Sequence, residues 1–108
     1  MTELILLDSS NWKEFFNSEL VYVMFSKSDC EHCSILELEL NSSDLFQEIS
    51  MCKVVLDDPG LAEMKMKYSW IPNIDILPFN AVLSNGKLIE YWSGNGLNRL
   101  NNRLKKHI

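Results

Sequence analysis

The most reactive side chains of this sequence stand together at Cys30-Glu31-His32-Cys33. Two thiols separated by two residues can close a disulfide, or supply half of a zinc site. The flanking sequence separates these chemistries. Leu20–Phe25 is an almost wholly apolar, β-prone run, and the Ser26–Asp29 stretch after it is polar. The pair therefore falls after a buried strand and at the start of a helix. There the free N–H groups and the helix dipole favour a thiolate, which is the nucleophile of disulfide exchange. Cys30 is expected at the exposed helix end and Cys33 about one turn further in. Zinc would need further ligands, and the chain offers only Cys52 and His107, widely separated. Dithiol–disulfide chemistry is the better reading, with no metal and no organic cofactor expected.

The neighbours of the two thiols act with opposite signs. His32 favours ionised Cys30, and a more stable thiolate makes a stronger oxidant. Glu31 and Asp29 disfavour the anion, so the net redox poise stays open. His32 reads equally well as a solvated loop residue.

Around this pair, strand and helix signals alternate. Leu4–Leu7 reads as a short strand. Asp8, Ser9 and Ser10 offer N-caps for a helix over Asn11–Asn17, with Trp12, Phe15 and Phe16 on one face. Ile35, Leu36, Leu38 and Leu40 interleave with Glu37 and Glu39, a pattern that suits strand or helix, and the residue types favour helix. Asn41–Asp44 interrupts it, and Leu45–Ile49 adds another turn or two. Met51–Leu56 is a strand. Asp58 and Pro59 open a helix running to about Tyr68. A loop with Pro72 and Pro78 follows. Phe79–Leu83 and Leu88–Trp92 are strands joined by Ser84-Asn85-Gly86-Lys87, a strong hairpin signal. Leu97, Leu100, Leu104 and Ile108 recur at helical spacing and predict an amphipathic C-terminal helix. The order β-α-β-α-β-α-β-β-α predicts an α/β protein with a mixed central sheet flanked by helices.

Composition sets the outer bounds. The 108 residues are 46% hydrophobic and 23% charged, which fits one globular domain over 1–108 and excludes disorder. A net charge of −5 argues against nucleic acid and anionic membrane surfaces as partners. No run approaches membrane-spanning length. The first residues carry no secretion signal, so a cytoplasmic protein is expected. An odd cysteine count does not suggest a structural disulfide framework.

With these residues in hand, the chain resembles the thioredoxin superfamily over nearly its whole length. Lys53-Val54-Val55-Leu56-Asp57-Asp58-Pro59 looks like the family's third strand, with its lysine and following turn. Pro78 and the stretch from Phe79 to Lys87 look like the family's cis-proline, strand and Asn-Gly turn. Gly94 falls where the family places a glycine before its last helix. The resemblance implies the thioredoxin fold and a thiol–disulfide oxidoreductase, a protein disulfide reductase of cell redox homeostasis. It implies Cys30 and Cys33 as the redox-active centre. Leu77 and Pro78 would bind substrate, in preference to the competing pair Ile71-Pro72. Glu31, His32 and Lys53 would tune the thiols, although Lys53 is equally a surface strand residue. The implied partners are disulfide-containing proteins and an electron donor like thioredoxin reductase, with the chain a monomer.

The sequence also departs from the family pattern. Asp29 replaces the tryptophan before the first cysteine. Met24, which cannot move protons, falls at the buried acidic position, leaving Lys53, Glu31 or water to assist Cys33. The loop Ser69–Leu77 is longer than in thioredoxin. With the acidic Leu-Glu-Leu-Glu stretch after Cys33, this loop looks more like the broader thioredoxin-like relatives that include disulfide-interchange domains, whereas Met24 supports an alternative, a thioredoxin-fold binding, adaptor or redox-sensing module without turnover. Cys52 reads as a buried small hydrophobe. Trp70 reads as a packed loop aromatic, Tyr91 and Trp92 as strand residues, Met64 and Met66 as filling. His107 reads as a cation suited to a helix C-terminus.

Overall fold

The apolar run in the first quarter of the chain forms the middle of a five-stranded sheet in the computed structural model, which describes residues 3–44 and 48–108. This strand is β2 (Val21–Ser26), buried along its whole length. The other strands are β1 (Ile5–Leu6), β3 (Ser50–Val55), β4 (Phe79–Ser84) and β5 (Lys87–Ser93), in the order β1-β3-β2-β4-β5. β1 and β2 run parallel to β3, whereas β4 is antiparallel to β2 and β5. The helices are α1 (Trp12–Phe16), α2 (Glu31–Asn41), α3 (Ala62–Lys67) and α4 (Leu97–Leu104). The element order and the mixed sheet are those expected from the sequence.

Alternation along β2 divides the core in two, because successive strand side chains point to opposite faces. Val21, Val23 and Phe25 meet Trp12 and Phe16 of α1, with Leu61, Met64 and Ile71 beyond. Tyr22 and Met24 point the other way, toward Cys33, Leu36 and Leu40 of α2 and Leu100 and Leu104 of α4. The cysteine helix is thus held down by its own apolar stripe. Full burial of each leucine contributes about 1.5–3 kcal/mol.

Local chemistry sets the element ends. The Asp8 carboxylate accepts from the backbone N–H groups of Ser10 and Asn11 at 2.8 and 3.1 Å. This turn delays α1, which starts at Trp12 and ends at Phe16, shorter than expected at both ends. Asp58 accepts from Gly60 N at 2.9 Å, and Pro59 opens a 3₁₀ turn, Pro59–Leu61, that leads into α3. Asn85 and Gly86 both take positive φ, 52° and 83°, as a type I′ hairpin turn requires.

Three expectations need correction. The strand expected at Leu4–Leu7 is only Ile5–Leu6, and both residues face solvent. Leu7 is buried as the chain leaves the sheet edge. Ile108 is 51% exposed rather than on the apolar face of the last helix. That helix gives way after Leu104 to a 3₁₀ turn, Lys105–His107, whose tighter winding carries Ile108 out of register. Of the turn expected at Leu45–Ile49, residues 45–47 lie outside the described residues, and Glu48 and Ile49 are not helical.

Candidate active site

The loop that delivers Cys30 is tied down before α2 begins. Ser26 is the buried last residue of β2 and Ser28 lies two residues on, where the chain turns from sheet to helix. The Ser26 hydroxyl donates to Val54 O at 3.1 Å, and Leu56 N donates to Ser26 O at 2.7 Å. The Ser28 hydroxyl donates to the Asp57 carboxylate at 2.6 Å. That hydrogen bond holds the Asp57 carboxyl below its ordinary pKa. The turn between β3 and α3 therefore braces the turn between β2 and α2.

Cys30 is the N-cap of α2, with φ −91° and ψ 108°. Its Sγ accepts from the Cys33 backbone N–H at 3.2 Å. A sulfur in this position receives the charge stabilisation that an N-cap oxygen usually takes. Cys30 and Cys33 form a disulfide with their Cα atoms 5.3 Å apart. Cys33 is 3% exposed, whereas Cys30 is only half-buried. The outer sulfur is therefore the one an incoming molecule can reach.

Leu77–Pro78 is a cis peptide bond, while Ile71-Pro72 belongs to a short 3₁₀ turn, Ile71–Asn73. Pro78 is buried, and its carbonyl accepts from Gly94 N at 2.8 Å. Leu77 and Cys30 both pack against the core cluster that holds Cys33. Beside this loop lies a groove of about 520 Å³ lined by Trp70, Ile74, Asp75, Phe79, Tyr91 and Arg99 among others. Trp70 is packed against Phe25 and Phe79, with ring centroids 5.6 and 6.2 Å away.

The remaining sequence candidates fall in different places. Glu31 and His32 are exposed on the first turn of α2. Lys53 stands next to α2, but its Nζ is 2.7 Å from the Glu37 carboxylate in a half-buried ion pair. Cys52 is fully buried on the opposite face of the sheet, and burial pushes its thiol up to about 12. That makes it a poor nucleophile. His107 lies 2.9 Å from Glu90, to which Lys106 also donates. Burial pushes Glu90 up, but its hydrogen bonds from His107 and Lys106 outweigh this and hold the carboxyl below its ordinary value. Among the described residues, no three His, Cys, Asp or Glu side chains converge as metal ligands would.

Two features escaped the sequence reading. One is Glu37, four residues after Cys33 and therefore on the adjoining turn of α2. Helical spacing from the cysteine was the signal that could have found it. The other is a buried polar network on the sheet face that also packs against Cys33. The Tyr22 hydroxyl donates to Asn80 Oδ1, and burial pushes that phenol above its ordinary value. The Asn80 amide in turn donates to Trp92 O at 3.2 Å and Gly94 O at 2.9 Å. An asparagine inside an otherwise apolar strand, two residues after Pro78, was its only signal.

Sheet order, cysteine placement and the cis-proline loop together define a thioredoxin-fold protein with a Cys-x-x-Cys pair at a helix N-terminus. Solved structures agree on the fold. Thioredoxin f2 from Chlamydomonas reinhardtii superposes with a TM-score of 0.77 at 20% identity, covering 96% of this chain and 95% of that one. Thioredoxin NaTrxh from Nicotiana alata gives 0.78 at 24% identity, covering 98% and 93%. A Schistosoma mansoni thioredoxin gives 0.77 at 23% identity, covering 99% and 100%. No protein-family model and no curated protein matches the sequence.

Proposed function

We propose that this chain is a thiol–disulfide oxidoreductase that exchanges the Cys30–Cys33 pair with disulfides of other proteins. The observation that carries this reading is the unequal exposure of two bonded sulfurs at one helix N-terminus. In the reduced protein, Cys30 attacks a substrate disulfide as a thiolate, aided by the free N–H groups of α2. One substrate sulfur leaves as a thiolate, and the other stays bonded to Cys30. Cys33 then attacks Cys30, and the second substrate sulfur departs. The substrate gains two electrons, and the chain is left with the Cys30–Cys33 disulfide. A dithiol donor restores the reduced form.

Several finer assignments belong to this reading. Leu77 and Pro78 receive the extended substrate backbone beside Cys30. Glu31 and His32 set the thiol's charge environment with opposing signs. The whole chain works as one domain, as a monomer in the cytoplasm, with a thioredoxin-reductase-like protein as donor. The test is reduction of insulin by dithiothreitol, followed as turbidity. The wild-type chain accelerates it, and Cys30→Ser abolishes the acceleration. A wild-type chain with no Cys30-dependent turnover would instead favour a binding or redox-sensing module, the reading suggested by buried Met24.

A further inference from the structure

Resolution of the mixed disulfide requires Cys33 to lose a proton, yet Cys33 is nearly inaccessible to bulk water at 3% exposure. The side chains packed around it define what could take that proton. β2 contributes Tyr22 and Met24, and α4 contributes Leu97 and Leu100. The Tyr22 hydroxyl is committed to Asn80 of β4, and Asn80 is a neutral amide. Arg103 of α4 lies over Trp92 of β5 and toward Glu90. On α2 itself, Glu31 and His32 are exposed on the first turn, and Glu39 lies about a third of a turn round the helix on the other flank.

Glu37 is placed differently. It sits about 40° round α2 from Cys33 and ~6 Å along the axis, on the flank that faces β3. Its carboxylate is held there by Lys53 Nζ at 2.7 Å, and the two side chains are 30% and 26% exposed. Lys53 is also the register partner of Met24. The ion pair therefore borders the apolar floor under Cys33 and is wetted on its outer side. At a partly exposed ion pair one turn from Cys33, a water can carry a proton between the two side chains.

We infer that Glu37, positioned by Lys53, is the proton acceptor for Cys33 in the resolving step. This inference rests on the oxidoreductase reading above. The Cys33 proton passes through water to the Glu37 carboxylate. The resulting thiolate attacks Cys30 Sγ, the Cys30–Cys33 bond forms, and the bond from Cys30 to the substrate breaks. The substrate sulfur leaves with the electron pair and takes up the proton. In the reverse direction, a donor thiol gives its proton through water to the Glu37 carboxylate, its thiolate opens the disulfide at Cys30, and the carboxyl returns the proton to the Cys33 thiolate.

The experiment is a single turnover of the reduced chain with a chromogenic aromatic disulfide, followed by stopped flow over a range of pH. Attack by Cys30 releases the first chromophore, and attack by Cys33 releases the second. Glu37→Gln leaves the first release unchanged within about twofold. It slows the second near neutrality by about tenfold to a hundredfold, the lower part of the range for a positioned base. The second rate in that variant becomes proportional to hydroxide, and Glu37→Asp recovers part of the loss. Lys53→Met slows the second release as well, because the carboxylate loses the cation that positions it. An unchanged second release in Glu37→Gln overturns the inference and leaves the oxidoreductase reading standing. A wild-type chain that never makes the second release overturns that reading itself.

Discussion

Replacing Tyr22 by phenylalanine removes one oxygen from a region with no access to water. Tyr22 and Asn80 are each 0% exposed. The Asn80 amide nitrogen keeps its two carbonyl partners, Trp92 O and Gly94 O, but its Oδ1 loses the tyrosine donor. A buried acceptor left unpaired costs about 1–3 kcal/mol. The lost oxygen leaves too little space for a compensating water. The expected loss is therefore about 2 kcal/mol. With an unfolding entropy of roughly 2.1 cal/mol/K per residue, that corresponds to a fall in Tm of ~9 °C for a chain of this size. Urea titration of oxidised wild type and Tyr22→Phe, read by tryptophan fluorescence, measures it with an unchanged m-value. Asn80→Ala removes both the acceptor and the donor to two carbonyls, and costs more than Tyr22→Phe. A Tyr22→Phe loss below about 0.5 kcal/mol would refute the reasoning, because the hydroxyl would then be dispensable to its partner.

Other perturbations have equally definite outcomes. Gly86→Ala places a Cβ at φ +83° and 3.0 Å from Asn17 Oδ1, so thermal unfolding should show a loss of about 1–2 kcal/mol. Gly86→Asn, which tolerates the left-handed region better, loses less. Cys52 should resist iodoacetamide in the folded, oxidised chain and react on unfolding, as counted by mass spectrometry; rapid labelling of the native protein would contradict its burial. Glu90 has a folded pKa below its ordinary value. Its contribution to stability is thus present above the ordinary glutamate range and is lost as pH falls through the folded pKa. Glu90→Gln should therefore lower Tm near neutrality and converge with wild type in acid. A constant difference across pH would remove the ionic explanation.

What the sequence revealed depended on how local each cause was. The nearly all-apolar Leu20–Phe25 run read as a strand covered on both faces, and the strand forms one residue later, over Val21–Ser26, with Leu20 half-buried before it. The Asn85-Gly86 dipeptide specified its own turn because glycine and asparagine accept positive φ. Cys30 at the N-terminal end of a helix was legible from the polar break before it and the leucines after it. Glu37 and Lys53 were not legible as a pair, because their contact depends on how α2 lies against β3. The Tyr22–Asn80 bond joins strands that are distant in sequence; Asn80 stood out in its apolar strand, but nothing local named Tyr22 as its partner. Ile108 failed for a different reason. Helical periodicity continues on paper past the point where the winding tightens.

The recessed position of Cys33 has a practical corollary. Escape from any covalent adduct at the outer sulfur depends on a neighbour that solvent barely touches, so deleting that neighbour should leave captured molecules attached. A Cys33→Ser chain is thus a natural bait. Whatever it retains through non-reducing purification, and surrenders to a small thiol, would identify candidate partners for the proposed exchange.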